Sequence, residues 1–273
     1  MGNRDREIKS LGEYQRQTGR FEKSDGLILP DTWIVVRIDA HRFGPEWSDF
    51  EDSRYPFDPS FVTALTGTAK RLFSSGFRIL YSYVHGDEIS LLFDPTESIN
   101  QRRRARVASL ISSYGSVGFF REFPRPATFH AVISELPTAG HVVDYFMWQR
   151  KVAHRNFFYR TLSLRLTASG YDDKATLEKL LTLSEQERED LARGLGLTDE
   201  EVTPYGKFGL GLWAEQENGR QRIAVCDELP TTDIGYRDFI NDRLEGISFL
   251  FDESSADELP LEVVRLRQSF EAP

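Results

Sequence analysis

The sequence predicts an α+β fold in which helices pack against a ferredoxin-like antiparallel sheet, followed by a C-terminal appendage. Apolar, β-branched and aromatic runs alternate with stretches of helical periodicity. Two of these runs are joined by a short polar tip, which predicts a hairpin. The resulting order of strand, helix, hairpin, helix and strand is that of a ferredoxin-like unit.

The first two elements are a strand and a helix. Residues 33–39 (WIVVRID) form an apolar run that ends in an acid. Residues 59–73 carry apolar side chains on one helical face, and Gly76 supplies a stop signal after them. We therefore expect a buried strand followed by a helix that packs on the sheet.

A hairpin and a second helix come next. Residues 78–84 and 89–93 are rich in strand-forming types, and Gly86 between them suits a turn that needs a positive φ. A second helix is expected from about Ser98 to Arg121, and residues 127–136 are strand-like. These elements complete the ferredoxin-like unit.

The later segments predict helices and one more strand. A helix crowded with hydrogen-bond donors is expected to begin near Val142. Residues 177–197 predict two short acidic helices, with Thr176 and Ser184 as N-caps before glutamates. The stretch after Pro204 leads into a further strand.

Two aspartates stand where strands are expected to end. Asp39 closes the first strand and Asp87 lies at the tip of the hairpin. Acidic groups at the ends of neighbouring strands can converge on one site, and two carboxylates there suit Mg²⁺ bound to a nucleoside triphosphate. Magnesium-dependent nucleotidyl transfer is therefore the leading hypothesis.

The alternative is that the hairpin tip is merely polar, which is the more common meaning of an isolated Gly-Asp-Glu. Asp39 argues against that alternative. An unpaired carboxylate at the end of a buried strand is costly unless a cation or hydrogen bonds compensate it.

Four segments carry a more specific resemblance. In chain order they read RIDAHRF (37–43), GDEIS (86–90), WQRKVAHRN (148–156) and PYGKFG (204–209). The combination resembles the tRNA-His guanylyltransferase superfamily, most closely its bacterial and archaeal guanylyltransferase-like members, also called 3′–5′ polymerases. The similarity extends over about residues 11–230. It implies a polymerase-palm-like sheet, and the predicted order of elements is also that of a palm.

The resemblance implies an enzyme that adds GMP or other nucleotides to the 5′ end of tRNA in the 3′–5′ direction. ATP or GTP would first activate the 5′ phosphate, and the 3′-hydroxyl of an incoming nucleoside triphosphate would then attack it. Both steps are phosphoryl transfers that two Mg²⁺ ions can assist. GTP and ATP are the implied substrates, tRNA is the implied partner, and a homo-oligomer, commonly a tetramer, is the implied assembly.

The resemblance also implies the catalytic residues. Asp39, Asp87 and Glu88 would be catalytic. Asp39 and Asp87 would bind both metal ions together with the backbone carbonyl of Ala40. Family members usually have glycine in place of Ala40, a hydroxyl residue in place of Gly86 and a small residue in place of Arg42. Alanine still offers its carbonyl group, so the ligand set is retained.

Phosphate binding needs donors beyond the metals. The run 101–106 is rich in arginine, whose planar fork can hold phosphate with two hydrogen bonds. A charged run is equally often just a solvated face. Backbone amides of residues 40–44 could add an anion-binding nest. The expected nucleotide-binding residues are Arg37, Ala40, His41, Arg42, Phe43, Gly86, Arg102, Arg103 and Arg106.

The donor-rich helix and the segment after Pro204 are the expected tRNA-binding regions. Exposed cations there suit contacts to phosphate, which position a nucleic acid without reading its sequence. A structural histidine at position 154 and an ordinary surface lysine at position 207 are the alternatives. The expected tRNA-binding residues are Arg150, Lys151, His154, Asn156 and Lys207.

Composition restricts the remaining possibilities. The 43 acidic and 34 basic residues give a net charge of −9, which argues against broad, nonspecific nucleic-acid binding, although basic islands remain at 102–106 and 150–155. Cys226 is the single cysteine, so no internal disulfide framework exists and a reducing, cytoplasmic compartment is expected. No long apolar run predicts a signal peptide or a membrane span.

The sequence predicts three regions. We expect a palm-like core with an N-terminal extension (1–135), a helical and strand portion that completes the catalytic and tRNA-binding domain (136–243), and a C-terminal tail (244–273).

Three classes of function agree with the sequence. The leading class is a tRNA 5′-end nucleotidyltransferase. The alternatives are a palm nucleotidyltransferase or cyclase that acts on small nucleotides, and a nucleotide-binding homologue that has lost catalysis.

Overall fold

The computed structural model describes residues 26–41, 58–123, 125–171, 174, 178, 180, 182–217 and 220–247. The strands are β1 (Trp33–Ala40), β2 (Ile79–His85), β3 (Glu88–Phe93), β4 (Phe129–Leu136), β5 (Leu210–Glu217) and β6 (Arg220–Cys226). The helices are α1 (Pro59–Leu72), α2 (Arg104–Glu122), α3 (Ala139–Ala168), α4 (Glu185–Gly194), α5 (Pro204–Phe208) and α6 (Asp233–Ile247).

The strands form one antiparallel sheet in the order β4-β1-β3-β2-β5-β6. Its first four strands, with α1 and α2 as the connecting helices, have the ferredoxin-like order, and β5 and β6 extend the sheet beside β2. The predicted α+β fold is therefore confirmed. The hairpin is confirmed as well, since β2 and β3 pair and Gly86 in their turn has a φ of +54°.

Both faces of the sheet are covered, because side chains alternate across each strand. On β1, Ile34, Val36 and Ile38 are buried against α1 and α2. Val35 points the other way, into a second core that α3 and α6 cover. Arg37 and Asp39 share the side of Val35, so the polar residues of β1 face the layer that contains α3. Within the described residues, no helix combines the length and apolar character needed to span a bilayer.

The helix expected from about Ser98 begins later, at Arg104. Asn100, Gln101 and Arg102 each have a φ of +54°, in the left-handed region that residues with a side chain avoid. These three residues turn the chain before the helix, and Arg103 is the extended residue that precedes it. Helical periodicity alone does not reveal such a turn.

Hydrogen bonds from the Arg102 side chain stabilise this turn. Its Nη1 donates to the carbonyls of Pro95 and Glu97, each at 2.9 Å, and its Nη2 donates to the carbonyl of Thr32 at 3.2 Å. Its Nε reaches the carbonyl of Ile28 at 3.4 Å. The prediction that Arg102 binds nucleotide phosphate is wrong, because backbone carbonyls already use its donors.

The segment after Thr203 also differs from expectation. Lys207 lies in the short helix α5, and the strand begins only at Leu210. Thr203 caps the helix by accepting a hydrogen bond from the Gly206 amide at 3.1 Å. Gly209 then joins helix to strand with a φ of +71°, a conformation that favours glycine.

We predict that Gly209→Ala lowers the free energy of unfolding by at least about 2 kcal/mol. A Cβ at this position would lie 2.7 Å from the Val84 carbonyl oxygen and 2.8 Å from the Tyr83 ring, at a strained φ. Gly194→Ala is the matched control, because a Cβ there meets nothing within 4 Å. Urea unfolding checks the pair, and equal stability of the two variants would contradict the prediction.

Candidate active site

Strand register brings the two predicted aspartates to the same end of the sheet. β1 and β3 are neighbours, and Asp39 lies directly opposite Glu88. The next backbone contact is a hydrogen bond from the Ala40 amide to the Asp87 carbonyl at 3.3 Å. The expectation that these strands are neighbours is confirmed. Asp39, Ala40, Asp87 and Glu88 therefore form one acidic strand end.

Asp39 is held by two basic neighbours on the same face of the sheet. Its Oδ1 lies 2.9 Å from Nδ1 of His130, which is its cross-strand partner on β4. Its Oδ2 lies 3.7 Å from Arg37, and the same guanidinium lies 3.7 Å from Glu88. Arg37 thus sits between two carboxylates and offsets their mutual repulsion.

Glu88 is the more enclosed of these acids. Burial raises the pKa of its carboxyl group, with Arg37 the strongest opposing influence. Its Oε2 is buried without a hydrogen-bond partner among the described residues. A buried acceptor without a hydrogen bond lowers the free energy of unfolding. Buried acids with shifted pKa values are concentrated at functional sites.

A hydrogen-bonded chain ties the hairpin to α3. His85 is buried, and its Nε2 lies 3.0 Å from Oε1 of Gln149 and 3.5 Å from Glu88. Gln149 donates to the Tyr145 hydroxyl at 3.0 Å, which lies 3.3 Å from the Ser90 hydroxyl. Burial lowers the pKa of His85 to about 4, so its imidazole is neutral at pH 7.

His130, Gln149 and Tyr145 were not singled out from the sequence. Each comes from an element distant in the chain, and nothing in its local pattern distinguishes it from a surface or core residue. Pairing β1 with β4 is the one signal that would have identified His130, because the register places it opposite Asp39.

The acidic strand end has a donor set suited to Mg²⁺. Among the described residues, no three acidic, histidine or cysteine side chains cluster as a ready metal site. Mg²⁺ is commonly held by one or two carboxylates, with water and substrate phosphates completing its shell. Asp39 and Asp87 fit that requirement, and the Glu88 oxygen that accepts no hydrogen bond among the described residues is a further acceptor beside them.

Of the other expected nucleotide-binding residues, some lie near the acidic strand end and some lie outside the described residues. Gly86 lies in the turn, and its carbonyl accepts a hydrogen bond from the Tyr205 hydroxyl at 3.1 Å. His41 is exposed just beyond β1, and its amide donates to the Thr128 carbonyl at 2.8 Å. Arg42 and Phe43 lie outside the described residues.

Arg103 and Arg106 lie at the opposite end of the sheet from the aspartates. They flank the start of α2, where Arg104 pairs with Glu135. Glu135 is opposite Ile34, five residues before Asp39 on β1. At about 3.3 Å per residue, that separation is roughly 17 Å. That Arg103 and Arg106 bind nucleotide phosphate stays a prediction.

Arg150 is also a structural residue. It is buried, donates to Asp233 at 2.7 Å and to the Thr231 carbonyl, and stacks on the ring of Phe208 with 4.5 Å to its centroid. The prediction that Arg150 contacts tRNA phosphate is corrected, because this guanidinium packs between α3, α5 and α6. Lys151 is exposed and lies 3.9 Å from the other Asp233 oxygen.

His154 and Lys207 share one acid. Oε1 of Glu189 on α4 lies 2.8 Å from His154 Nε2 and 2.9 Å from the Lys207 ammonium. Burial lowers the pKa of His154, while its Nδ1 is buried without a partner among the described residues. The two predicted tRNA contacts are therefore neighbours, and they are joined to each other through Glu189.

Arg155 and Asn156 extend the same helix toward the hairpin. Arg155 donates to the Asn156 side-chain oxygen at 3.2 and 3.3 Å. Burial is the main cause of the pKa shifts of His85 and Glu88, and the positive charge of the exposed Arg155 is a smaller influence on both. Asn156 follows Gln149 by seven residues and hence lies on the same helical face.

Known proteins resemble this chain over most of its length. The family model of Thg1, tRNAHis guanylyltransferase, matches residues 13–141. The tRNA(His) guanylyltransferase of Debaryomyces hansenii is 30% identical over 226 residues, which are 78% of this chain and 83% of that relative. The chain belongs to the tRNA-His guanylyltransferase family. The predictions of this family and of a nucleotidyltransferase are confirmed.

Solved structures of the family share the fold. A bacterial Thg1-like protein in complex with ATP aligns with a TM-score of 0.63 at 22% identity, covering 80% of this chain and 93% of that one. The tRNA(His) guanylyltransferase of Saccharomyces cerevisiae aligns with a TM-score of 0.60 at 22% identity, covering 76% and 94%. At this identity the likeness supports the fold alone.

We predict that His85 makes the stability of the protein depend on pH. Its pKa falls from 6.5 to about 4 on folding, a difference of roughly 3 kcal/mol. Above about pH 6.5 His85 is neutral in both the folded and the unfolded chain, so protonation does not lower the free energy of unfolding there. As the pH falls toward about 4, the unfolded chain gains a proton that folded His85 does not, so the free energy of unfolding decreases.

Urea unfolding between pH 4 and pH 7.5 measures this effect. His85→Gln keeps a polar atom toward Gln149 but cannot titrate, so its stability should depend less steeply on pH than that of the unaltered protein. His141→Gln is the control, since His141 is exposed at the start of α3. Parallel pH profiles for the unaltered protein and His85→Gln would contradict the assignment.

Proposed function

We propose that this protein is a Mg²⁺-dependent nucleotidyltransferase that adds GMP or other nucleotides to the 5′ end of tRNA in the 3′–5′ direction. ATP or GTP activates the 5′ phosphate before the transfer. Family membership supports the reaction class. The observation that carries the proposal is the acidic strand end, where Asp39 near the end of β1 lies opposite Glu88, and Asp87 lies in the turn directly before Glu88.

The proposed roles follow from the charges at that end. Asp39 and Asp87, with the Ala40 carbonyl, hold Mg²⁺, which when bound would neutralise charge on the phosphates and on the attacking and leaving oxygens. Arg37 lies within 3.7 Å of both Asp39 and Glu88 and keeps the acidic groups in place. Glu88 supports the site as a buried acceptor. His41 and Gly86 border it and are the proposed nucleotide contacts.

The acceptor is proposed to approach along α3. Asn156 lies on the helical face of Gln149, whose side chain contacts His85, and the neighbouring Arg155 is an exposed cation. His154 and Lys207 form the adjoining pair on Glu189. Phosphate contacts by such groups fix the position of a nucleic acid end. Two metal ions, a cytoplasmic location and a homotetramer are further proposals that rest on the family resemblance.

One experiment tests the reaction directly. The pure protein is incubated with [α-³²P]GTP, ATP and Mg²⁺, together with full-length or 5′-truncated tRNA. Label at the tRNA 5′ end supports the proposal. Turnover of nucleotide without labelled tRNA would favour the small-nucleotide alternative, and nucleotide binding without turnover would favour an inactive homologue.

We predict that Asp39→Asn and Asp87→Asn each reduce nucleotidyl transfer by at least roughly a thousandfold. The amide keeps the shape of the side chain but loses the charge that holds the metal. Single-turnover assays give the rate, and urea unfolding verifies that each variant is folded. Asp144→Asn is the matched control, because Asp144 is an exposed acid on α3. Near-normal transfer by either site variant would exclude the assignment.

We predict that Arg155→Ala and Asn156→Ala impair transfer onto tRNA but leave Mg²⁺-dependent GTP binding nearly unchanged. Misplacing a reacting end by about 1 Å costs on the order of a hundredfold in rate. Arg121→Ala is the control, since this exposed arginine lies on α2, across the sheet from α3. An equal loss of GTP binding would instead assign both residues to the nucleotide pocket.

A further inference from the structure

We propose that His130 is a positioning residue that orients the Asp39 carboxylate for the metal. This inference rests on the proposed metal site and adds a residue to it. His130 lies on β4, outside the four segments that carry the family resemblance. Its function would be to hold one oxygen of Asp39, so that the remaining acceptor capacity of the carboxylate points toward the cation.

The contact is imposed by the backbone. β1 and β4 pair over eight consecutive residues, and this ladder places Asp39 and His130 directly opposite each other. Directly opposed side chains have their Cβ atoms about 4.5–5.5 Å apart, close enough for a carboxylate and an imidazole to meet. The observed separation is 2.9 Å between Nδ1 and Oδ1. It is a close contact between the imidazole ring and one carboxylate oxygen.

Asp39 needs such a partner because the torsion that rotates its carboxylate is broad. The guanidinium of Arg37 is 3.7 Å from Asp39, beyond a direct hydrogen bond, and is shared with Glu88. A carboxylate offers about four lone-pair sites, so contact with one imidazole leaves several for a metal. Hydrogen bonds to metal-binding carboxylates commonly change metal affinity 10- to 100-fold when they are removed.

His130 can be replaced without opening the core. Its side chain is 55% exposed, whereas that of Asp39 is 18% exposed. His130→Ala removes the donor, while His130→Asn offers an amide near the position of Nδ1. His141→Ala is the matched control, an exposed histidine at the start of α3. Asp39→Asn serves as the reference for loss of the metal site itself.

The test measures metal binding separately from activity. Mn²⁺ is titrated into each full-length protein with a non-hydrolysable GTP analogue, and free Mn²⁺ is followed by electron paramagnetic resonance against a protein-free blank. The Mg²⁺ concentration that gives half-maximal transfer is measured in parallel. His130→Ala should weaken Mn²⁺ binding by about tenfold or more and raise the Mg²⁺ requirement by a similar factor.

The variants separate a positioning role from a general structural one. His130→Asn should bind Mn²⁺ more tightly than His130→Ala, and His141→Ala should match the unaltered protein. If His130→Ala retains normal Mn²⁺ affinity while Asp39→Asn loses it, the role of His130 is overturned and the metal site stands. If Asp39→Asn also binds Mn²⁺ normally, the metal site and the inference both fail.

Discussion

The antiparallel register of β1 with its two neighbours is the constraint on which the candidate site depends. It places Asp39 opposite Glu88 on one side and His130 on the other. A slip by one residue would turn Asp39 toward α1 and α2, where Ile38 is now buried. The apolar residues of β1 thus hold the polar ones in position, since the register that buries the former also gathers the latter.

The register of β1 brings the charges of Asp39, Glu88 and Arg37 together before any ligand is present. Two carboxylates share Arg37, and burial of Glu88 raises its pKa because few groups replace the water it loses. His85 is neutral at pH 7 for the same reason. The hydrogen bonds from His85 through Gln149 to Tyr145 compensate part of this desolvation and tie the hairpin to α3. The acidic turn is therefore supported by a helix that lies far along the chain.

The sequence predicted most of the sheet because alternation and turn chemistry are local properties. Asp39 and Asp87 could be paired in advance, since both end strand-like runs. The sequence could not show in the same way which arginines bind phosphate and which bind the backbone. Whether a guanidinium meets a phosphate or a carbonyl depends on distant backbone, as Arg102 shows with its bonds across the left-handed turn. His130 was missed for a related reason, because its role exists only through strand pairing.

The structure divides the basic residues of α3 by the direction in which each one points. Arg150 is buried and serves packing, whereas Arg155 is exposed on the same helix. A net charge of −9 disfavours broad binding of nucleic acid, so we expect productive contact to be confined to such exposed cations. Binding that uses few phosphate contacts depends less on salt than binding through a broad basic surface. In the proposed function, an acidic protein would therefore act on RNA through a few exposed cations near one end of its sheet.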